Sequence, residues 1–331
     1  MIDLHLHLDG SISPEGIFRM ARKQGVALPE GVDSPETLAP HLVCPADCPD
    51  LNVYLEKFAL PLQVLQTAEG IVDAVEDVVA HLAAEGTLYA EIRFAPQLHC
   101  AGGLTQEDVV DIACRAQDQY NGEYGLKTQL IMCCIRGSDN AAANLCTLEL
   151  AAKYLGRGVC AADLAGAEAL FATENFRGLF APWAEKGLPF TIHAGEADGP
   201  ESIRAALAMG AKRIGHGVRC VEDPALMKTL AEQQIPLECC PTSNLQTRAI
   251  SDRWQDYPLR SLLQAGLAVT VNSDNRTVSS TTAGREFAVL EAKLGLTPEE
   301  KRKLLCSAAR AAFLPVEEKE LLERAVLARL G

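Results

Sequence analysis

Two histidines near the N-terminus have a spacing that suits metal binding. His5 and His7 lie two residues apart in the apolar stretch HLHL, in a chain that has only seven histidines. If this stretch is a β-strand, its two-residue period turns both imidazoles toward one face. Titratable groups in an apolar strand are costly unless they are paired or bind a metal. The pair therefore predicts a metal site, with two hydrogen-bonded core histidines as the alternative.

Three further candidate ligands follow later apolar stretches. His193 ends the stretch in TIHAGE, His216 ends that in IGHGV, and Asp274 follows TVNS. Imidazoles and a carboxylate are typical zinc ligands, and iron, cobalt and manganese remain open because affinity alone does not select the metal. A core or loop histidine is the alternative for His216, and a helix cap is the alternative for Asp274.

Glu196 is a candidate proton donor. It lies three residues beyond His193, where a loop can hold its carboxyl over the same centre. A hydrolytic metal site needs an acid, and a carboxyl shielded from water has a raised pKa that suits this task. An ordinary surface or capping glutamate is the alternative.

The elements that must position these residues are short apolar runs, each followed by a longer helical pattern. This alternation favours parallel strands joined by crossover helices, and eight repeats predict an α/β fold of the closed (β/α)8 TIM-barrel type. The runs are Ile2 to Leu8, Leu88 to Phe94, Thr128 to Ile135, Gly158 to Leu164, Pro189 to His193, Arg213 to His216, Pro236 to Cys240 and Ala268 to Asn272. An open doubly wound sheet is the alternative, but it would carry a GxGxxG loop after the first strand, and HLHLDGS does not.

An insertion is predicted between the first two strands. About eighty residues separate them, more than one crossover helix needs, so residues 34–84 should contain extra helices that roof the site as a lid. Leu51, Leu55 and Phe58 fall on one helical face, and Pro61 should kink or end that helix. The whole chain, residues 1–331, is expected to form a single domain.

Composition excludes several classes of function. Thirty Lys and Arg residues against forty-four Asp and Glu give a net charge of −14, which repels polyanions, so neither a nucleic acid nor an anionic membrane is expected as a partner. No apolar run reaches the ~18 residues of a membrane span, and no secretory signal is visible at the N-terminus. A soluble, cytoplasmic protein is expected, and its oligomeric state stays open.

The twelve cysteines are expected to be reduced, mostly buried thiols. Two pairs are adjacent within apolar runs, Cys133 with Cys134 and Cys239 with Cys240. The length is that of an enzyme that needs no disulfides. A structural zinc cluster is not expected, because the only near match to a CxxC pair is Cys44 with Cys48.

Seven sequence motifs occur in order along nearly the whole chain. They are HLHLDGS at 5–11, EIRFAP at 91–96, DLAGAE at 163–168, IHAGE at 192–196, GHGV at 215–218, CPTSNLQT at 240–247 and VNSDNRTVS at 271–279. Together they resemble the motifs of adenosine deaminases of the amidohydrolase superfamily. The resemblance implies a zinc-dependent deaminase of purine salvage that converts adenosine, and 2′-deoxyadenosine, to inosine and ammonia.

The resemblance also implies a role for each candidate residue. One Zn²⁺ per chain would be held by His5, His7, His193 and Asp274. Asp274 and His216 would orient a water molecule and accept its proton as it attacks C6 of the purine. Glu196 would protonate N1, which makes C6 electrophilic, and His7 would also contact the substrate.

Three substrate contacts are carried over in the same way. The Gly166 N–H would meet purine N3, and glycine suits a close backbone approach. Asp9 would accept a hydrogen bond from the ribose 5′-hydroxyl. Asn275 stands where animal-type sequences have a second aspartate, and its amide donates to an acceptor such as N7 at any pH, whereas a carboxyl must first be protonated.

Two alternatives stay open at this point. One is a deaminase of the same superfamily that acts on another aminopurine, namely adenine, an N6-substituted AMP or a modified adenosine. A phosphorylated substrate would need basic side chains at the mouth of the site, and Arg219, Arg248 and Arg276 follow strand ends. The other is a noncatalytic metal-binding or purine-binding barrel, which would not need a proton donor beside the metal.

Overall fold

The structure is a computed structural model, which describes residues 1–330. It contains all eight strands that the sequence predicts, with bounds that differ by at most two residues. They are β1 Ile2–His7, β2 Tyr89–Phe94, β3 Lys127–Ile135, β4 Val159–Ala165, β5 Thr191–Ala194, β6 Arg213–His216, β7 Leu237–Cys239 and β8 Val269–Val271.

The strands form a closed parallel barrel. Neighbouring strands pair in chain order from β1 to β4 and from β5 to β8. The two halves meet where Ala162 bridges Phe190 and where Leu6 bridges Asp274. The second junction includes a hydrogen bond from the His7 N–H to the Asp274 carbonyl (2.7 Å), which ties two predicted site residues together through the backbone. The predicted (β/α)8 fold is confirmed.

Helices surround the barrel and begin and end at the expected signals. The first starts after Ser13, whose hydroxyl accepts from the Gly16 N–H, and ends at Gly25 in the left-handed region with φ 69°. The helices are α1 Pro14–Gln24, α2 Pro35–Leu42, α3 Leu51–Leu55, α4 Ala59–Val64, α5 Ala68–Ala84, α6 Gln106–Tyr124, α7 Ala141–Tyr154, α8 Arg177–Glu185, α9 Pro200–Met209, α10 Pro224–Gln233, α11 Pro241–Gln246, α12 Leu259–Gln264, α13 Ala283–Leu294, α14 Pro298–Ala311 and α15 Val316–Leu330.

The predicted insertion is helical. Between β1 and β2 the chain forms α1 to α5, and four of these helices lie within residues 34–84. The predicted break near Pro61 occurs earlier in the chain, because α3 ends at Leu55 and a 3₁₀ turn, Glu56–Phe58, follows. Pro61 itself lies in the first turn of α4, where a missing N–H costs no helical hydrogen bond.

A buried group of charges fills the barrel below the strand ends. We call it the ionic layer, and it consists of Glu91, Arg93, Arg213 and Glu238, each no more than 1% exposed. Glu238 accepts from both arginines, from Arg213 at 2.6 Å and from Arg93 at 2.9 Å, while Glu91 accepts from Arg213 at 2.6 Å. Buried charges persist only when they are paired in this way.

Two further features of the chain concern its cysteines and its helices. All twelve cysteines are free, ten of them buried. Within residues 1–330, no helix combines the length and the apolar character needed to cross a membrane.

Candidate active site

A cavity of about 320 Å³ lies at the carboxyl ends of the strands. The structure brings every predicted site residue to this place. Those that line the cavity are His7, Asp9, Gly166, His193, Glu196, His216, Asp274 and Asn275. His5 is fully buried beside them, with its ring 4.6 Å from that of His193.

Four of these side chains present donor atoms at the spacing of a metal site. The Oδ1 atom of Asp274 lies 3.4 Å from His5 Nε2 and 3.5 Å from His7 Nε2, and His7 Nε2 lies 3.2 Å from His193 Nε2. Donors around a tetrahedral zinc ion, at bond lengths of about 2.0–2.2 Å, stand roughly 3.3–3.6 Å apart. His5 Nε2 is buried and has no hydrogen-bond partner. The donor set therefore fits a zinc ion.

A second group of potential ligands overlaps with the first. Cys240 lies with His5, His216 and Asp274 so that one donor atom of each is within 4.8 Å of the others. Burial raises the pKa of the Cys240 thiol well above its ordinary value, and a neutral thiol is a poor metal ligand. The Cys240 Sγ–H instead donates to the Glu238 carbonyl (3.4 Å), so this residue belongs to the support of the site.

Two buried carboxylates fix the orientation of the ligand imidazoles. Glu238 Oε2 lies 2.7 Å from His5 Nδ1, and Asp163 Oδ2 lies 3.0 Å from His193 Nδ1. A carboxylate at Nδ1 holds the proton there and leaves the Nε2 lone pair for a metal. Arg93 joins both carboxylates at 2.9 Å each, so the ionic layer directly supports two candidate ligands.

The tautomer of His216 is set by Asn244. The Oδ1 atom of this amide accepts from the Cys240 N–H (3.4 Å) and from the Tyr257 hydroxyl (3.3 Å), which leaves its NH₂ group to donate to His216 Nδ1 at 2.9 Å. Burial lowers the pKa of His216 well below its ordinary value. His216 is therefore a neutral imidazole that carries its proton on Nε2, 3.4 Å from Glu196 Oε2.

The surroundings of Glu196 favour the protonated form of its carboxyl group. Its side chain is 4% exposed. Burial is the main cause that raises its pKa well above its ordinary value, and the charges of Asp274 and Glu168 add to this. This environment favours the protonated carboxyl, which is the form that can donate a proton.

The three predicted substrate contacts all face the cavity. Burial raises the pKa of Asp9 to about 7, and its Oδ1 accepts from the Gly10 N–H at 3.1 Å. Gly166 has φ 103°, which explains a glycine at the end of β4. The Oδ1 of Asn275 is buried without a partner, and an ideal Cβ added at Gly10 would lie 1.9 Å from it. Gly10 thus makes room for the Asn275 amide.

The insertion supplies an apolar wall of the cavity. Leu51, Leu55 and Phe58 line it together with Tyr54 and Leu62, so the predicted helical face is turned toward the site. The Tyr54 hydroxyl also pairs with Ser279 Oγ at 2.7 Å. The insertion therefore forms part of the cavity wall.

Arginines near the cavity are engaged in other contacts. Arg219 pairs with Glu222 at 2.7 Å, Arg248 pairs with Asp252, and Arg276 pairs with Glu85. Arg136 lines the cavity, but its guanidinium donates to the carbonyls of Phe171 (2.7 Å) and His193 (2.6 Å) and to the Thr173 hydroxyl (2.8 Å).

Four functional positions escaped the sequence reasoning. Asp163, Glu168 and Asn244 lie within the quoted motifs, but no role followed from their position. The position of Glu238 does indicate a structural role, because it is a charged residue in the middle of the apolar run IPLECC and a buried charge requires a partner.

The geometry and the comparisons define a class. The fold is shared with solved amidohydrolase and deaminase structures, among them an adenine deaminase from Arthrobacter aurescens (30% identity, TM-score 0.88, 99% of this chain and 98% of the other). Another is an amidohydrolase from Burkholderia ambifaria with bound Zn (17% identity, TM-score 0.88, 99% of this chain and 90% of the other). The protein is a (β/α)8 barrel of the amidohydrolase class.

Sequence comparison narrows the class to one family. Residues 1–328 match the family described as adenosine deaminase. An adenosine deaminase from Haemophilus ducreyi is 48% identical over 326 residues, which are 97% of this chain and 94% of the relative. One from Enterococcus faecalis is 37% identical over 325 residues, covering 98% and 95%. The chain belongs to the adenosine deaminase family, as the motifs predicted.

Proposed function

We propose that this protein catalyses the hydrolytic deamination of adenosine, and of 2′-deoxyadenosine, to the corresponding inosine and ammonia. The observation that carries the proposal is the convergence of three imidazoles and the carboxylate of Asp274 beside the buried acid Glu196 at one end of the cavity. Family membership supports the same reaction.

One zinc ion per chain is part of the proposal, held by His5, His7, His193 and Asp274. The spacing of the donors supports this set, as does the buried, unpartnered Nε2 of His5. A zinc ion supplies Lewis acidity, which makes a water molecule acidic enough to be a nucleophile near neutral pH.

The residues beside this ion divide the proton transfers. Glu196, whose protonated form is favoured by burial near other carboxylates, donates its proton to purine N1 and so makes C6 electrophilic. Asp274 accepts a proton from the attacking water and passes it to the exocyclic amino group, so that the C6–N bond breaks and ammonia leaves, while Glu196 regains its proton from the new hydroxyl on C6. His216 donates a hydrogen bond from Nε2 to that water, because Asn244 occupies Nδ1. This last role differs from the sequence-based expectation that His216 also accepts a proton.

The substrate is a purine nucleoside held by three groups. Gly166 offers its N–H to N3, Asn275 donates to N7, and Asp9 accepts a hydrogen bond from a ribose hydroxyl. The apolar wall of Leu51, Tyr54, Leu55, Phe58 and Leu62 excludes bulk water from the reacting atoms. The buried carboxyl of Asp9 has no side-chain partner among the described residues, so a sugar hydroxyl satisfies it.

The same geometry favours a nucleoside over a nucleotide. A phosphate needs a cationic side chain or a set of free N–H groups. Arg219, Arg248 and Arg276 are paired with carboxylates, and Arg136, which lines the cavity, donates to two carbonyls and keeps only its Nε without a partner. A small neutral substrate also agrees with the net charge of −14.

The test is ammonia release by the zinc-loaded protein from adenosine, 2′-deoxyadenosine, adenine and AMP, measured side by side. We expect the highest kcat/KM for the two nucleosides. A higher value for adenine or AMP would assign the protein to another aminopurine. If the zinc-loaded protein releases ammonia from none of the four, the alternatives that remain are a deaminase of an N6-substituted AMP or a modified adenosine and a noncatalytic binding protein.

A further inference from the structure

The loop that carries Glu196 is folded around one buried carboxylate. Glu168, which follows β4 and is 1% exposed, accepts five hydrogen bonds. Its partners are the backbone N–H groups of Gly195 (2.7 Å), Glu196 (3.0 Å), Ala197 (2.7 Å) and Asp198 (3.1 Å) and the hydroxyl of Ser202. Because every partner donates, both oxygens of Glu168 act as acceptors, as in an ionised carboxylate.

These four N–H groups have no partner in regular structure. Residues 195–198 lie between the end of β5 and the start of α9, outside any helix or strand. Unpaired backbone donors in a buried segment cost free energy, so the loop needs an acceptor in order to hold this shape. Glu168 is that acceptor for four consecutive residues, one of which is Glu196.

We propose that Glu168 is a positioning residue for Glu196, a role that rests on the proposed function. Its carboxylate fixes the backbone of residues 195–198 and thereby sets where the Glu196 carboxyl stands relative to His216 and the substrate. Glu168 does not line the cavity, so it acts through the loop and does not touch the reacting atoms.

A chain of hydrogen bonds holds Glu168 in place. Ser202, in the first turn of α9, donates to Glu168 Oε1, and its oxygen lies 2.6 Å from the Thr173 hydroxyl. Thr173 in turn accepts from the Arg136 guanidinium at 2.8 Å, and Arg136 also donates to the His193 carbonyl at 2.6 Å. The negative charge of Glu168 is therefore linked to a buried cation, and the chain ties together the ends of β3, β4 and β5.

The first measurement is backbone amide hydrogen exchange of the peptide spanning residues 193–200 in the zinc-loaded protein. We expect Glu168→Gln to increase exchange in this peptide, because an amide side chain presents an NH₂ group to donors that need an acceptor. The same variant should lose about 10²-fold in kcat on adenosine, the scale of a misplaced catalytic group. KM, the inhibition constant of inosine and the zinc content should stay close to those of the wild type, since ground-state binding is not touched.

Glu286→Gln is the matched control. Glu286 is also a fully buried glutamate that accepts from a backbone N–H, that of Thr242 at 3.0 Å, and from a hydroxyl, that of Thr281 at 2.6 Å. It does not hold the loop of Glu196. We expect this variant to leave both the exchange of residues 193–200 and kcat unchanged.

Three results would overturn the proposal. The first is a wild-type kcat in Glu168→Gln, and the second is a lower kcat without faster exchange in the loop. The third is a loss of kcat that follows a loss of zinc, which would place the effect at the metal. If Glu168→Gln does not fold, Ser202→Ala decides the question, because it removes one of the five donors. Unchanged exchange and unchanged kcat in that variant would refute the role.

The proposed function and the role of Glu168 fail in different ways. Wild-type protein that releases no ammonia from adenosine would refute the function. The exchange of residues 193–200 in the variants would still report whether Glu168 holds the loop.

Discussion

Two layers of the barrel interior differ in how completely their polar groups are satisfied. In the ionic layer, both oxygens of Glu91 and of Glu238 accept hydrogen bonds, three from Arg93 and Arg213 and two from the Tyr89 hydroxyl and the Phe313 N–H, and only the Nε atom of Arg93 lacks a partner. We call the layer above it the ligand layer, and it consists of His5, His7, His193, His216, Asp274 and Asn275. In this layer, His5 Nε2 and Asn275 Oδ1 are buried without partners. Buried polar groups are normally paired. The comparison teaches that the carboxylates of the ionic layer, whose oxygens are all paired, position the ligand imidazoles, whereas the ligand layer leaves the Nε2 atom of His5 free for a metal.

The largest expected effect comes from withholding the metal from the ligand layer. Chelated protein should lose ammonia release from adenosine down to background, and added Zn²⁺ should restore it. Binding should also stabilise the fold, by about 2.7 kcal/mol when free zinc is 100 times its Kd. Thermal unfolding and turnover, measured on the same samples, check both expectations. Full turnover after complete removal of the metal would mean that the unpaired donors serve another purpose.

Replacing Glu196 should remove chemistry and leave the metal. Glu196→Gln keeps the shape of the side chain but has no acidic proton, so we expect kcat to fall by about 10²–10⁴-fold while zinc content persists. The control is Glu201→Gln, because the Glu201 side chain is 87% exposed and pairs only weakly with Arg204 at 3.8 Å. An active Glu196→Gln variant would contradict the assignment of the acid.

A substitution in the ionic layer should lower both the free energy of unfolding and the affinity for zinc. Arg93→Met leaves Asp163 and Glu238 buried without one of their cations, which should cost about 3–5 kcal/mol in the free energy of unfolding. Because these carboxylates orient His5 and His193, zinc affinity should also fall by about 10–100-fold. Denaturant unfolding and zinc titration measure the two effects. Arg302→Ala, at an exposed pair with Glu299, should change neither.

The contrast between the layers also separates what could be predicted from the sequence. The ligand layer was predictable because His5, His7, His193, His216 and Asp274 each end or follow an apolar run, and parallel strands of a barrel end on one face. The eight strands followed from the same alternation of runs and helices. Here the local sequence pattern and the tertiary fold agree, and the predicted ends of each strand lie within two residues of those in the structure.

The ionic layer and the loop support were not predictable in this way. Arg93 reaches Glu238 across 145 residues of sequence, and this pair depends on the register in which the barrel closes. The orientation of Asn244, which fixes the tautomer of His216, depends on Tyr257 and on a backbone N–H. The role of Glu168 was also not predictable, because the motif DLAGAE does not indicate that its hydrogen-bond partners lie 27 to 34 residues further along the chain. Such contacts follow only from tertiary structure.

The smallest expected effect concerns one amide of the ligand layer, that of Asn275. If Asn275 donates to purine N7, the wild type should prefer adenosine over 7-deazaadenosine by about tenfold in kcat/KM, the value of one hydrogen bond of about 1.4 kcal/mol. Asn275→Ala should lose most of this preference. If both proteins prefer adenosine over 7-deazaadenosine to the same extent, Asn275 does not bind N7.

Gly10 offers a second way to test the same amide while Asn275 is still present. A Cβ at residue 10 would lie 1.9 Å from Asn275 Oδ1, so Gly10→Ala should displace the amide and reduce the preference for adenosine as Asn275→Ala does. Gly284→Ala serves as the control, because an added Cβ there meets nothing closer than 3.7 Å. If Gly10→Ala keeps the full preference, the position of the amide is not what reads N7.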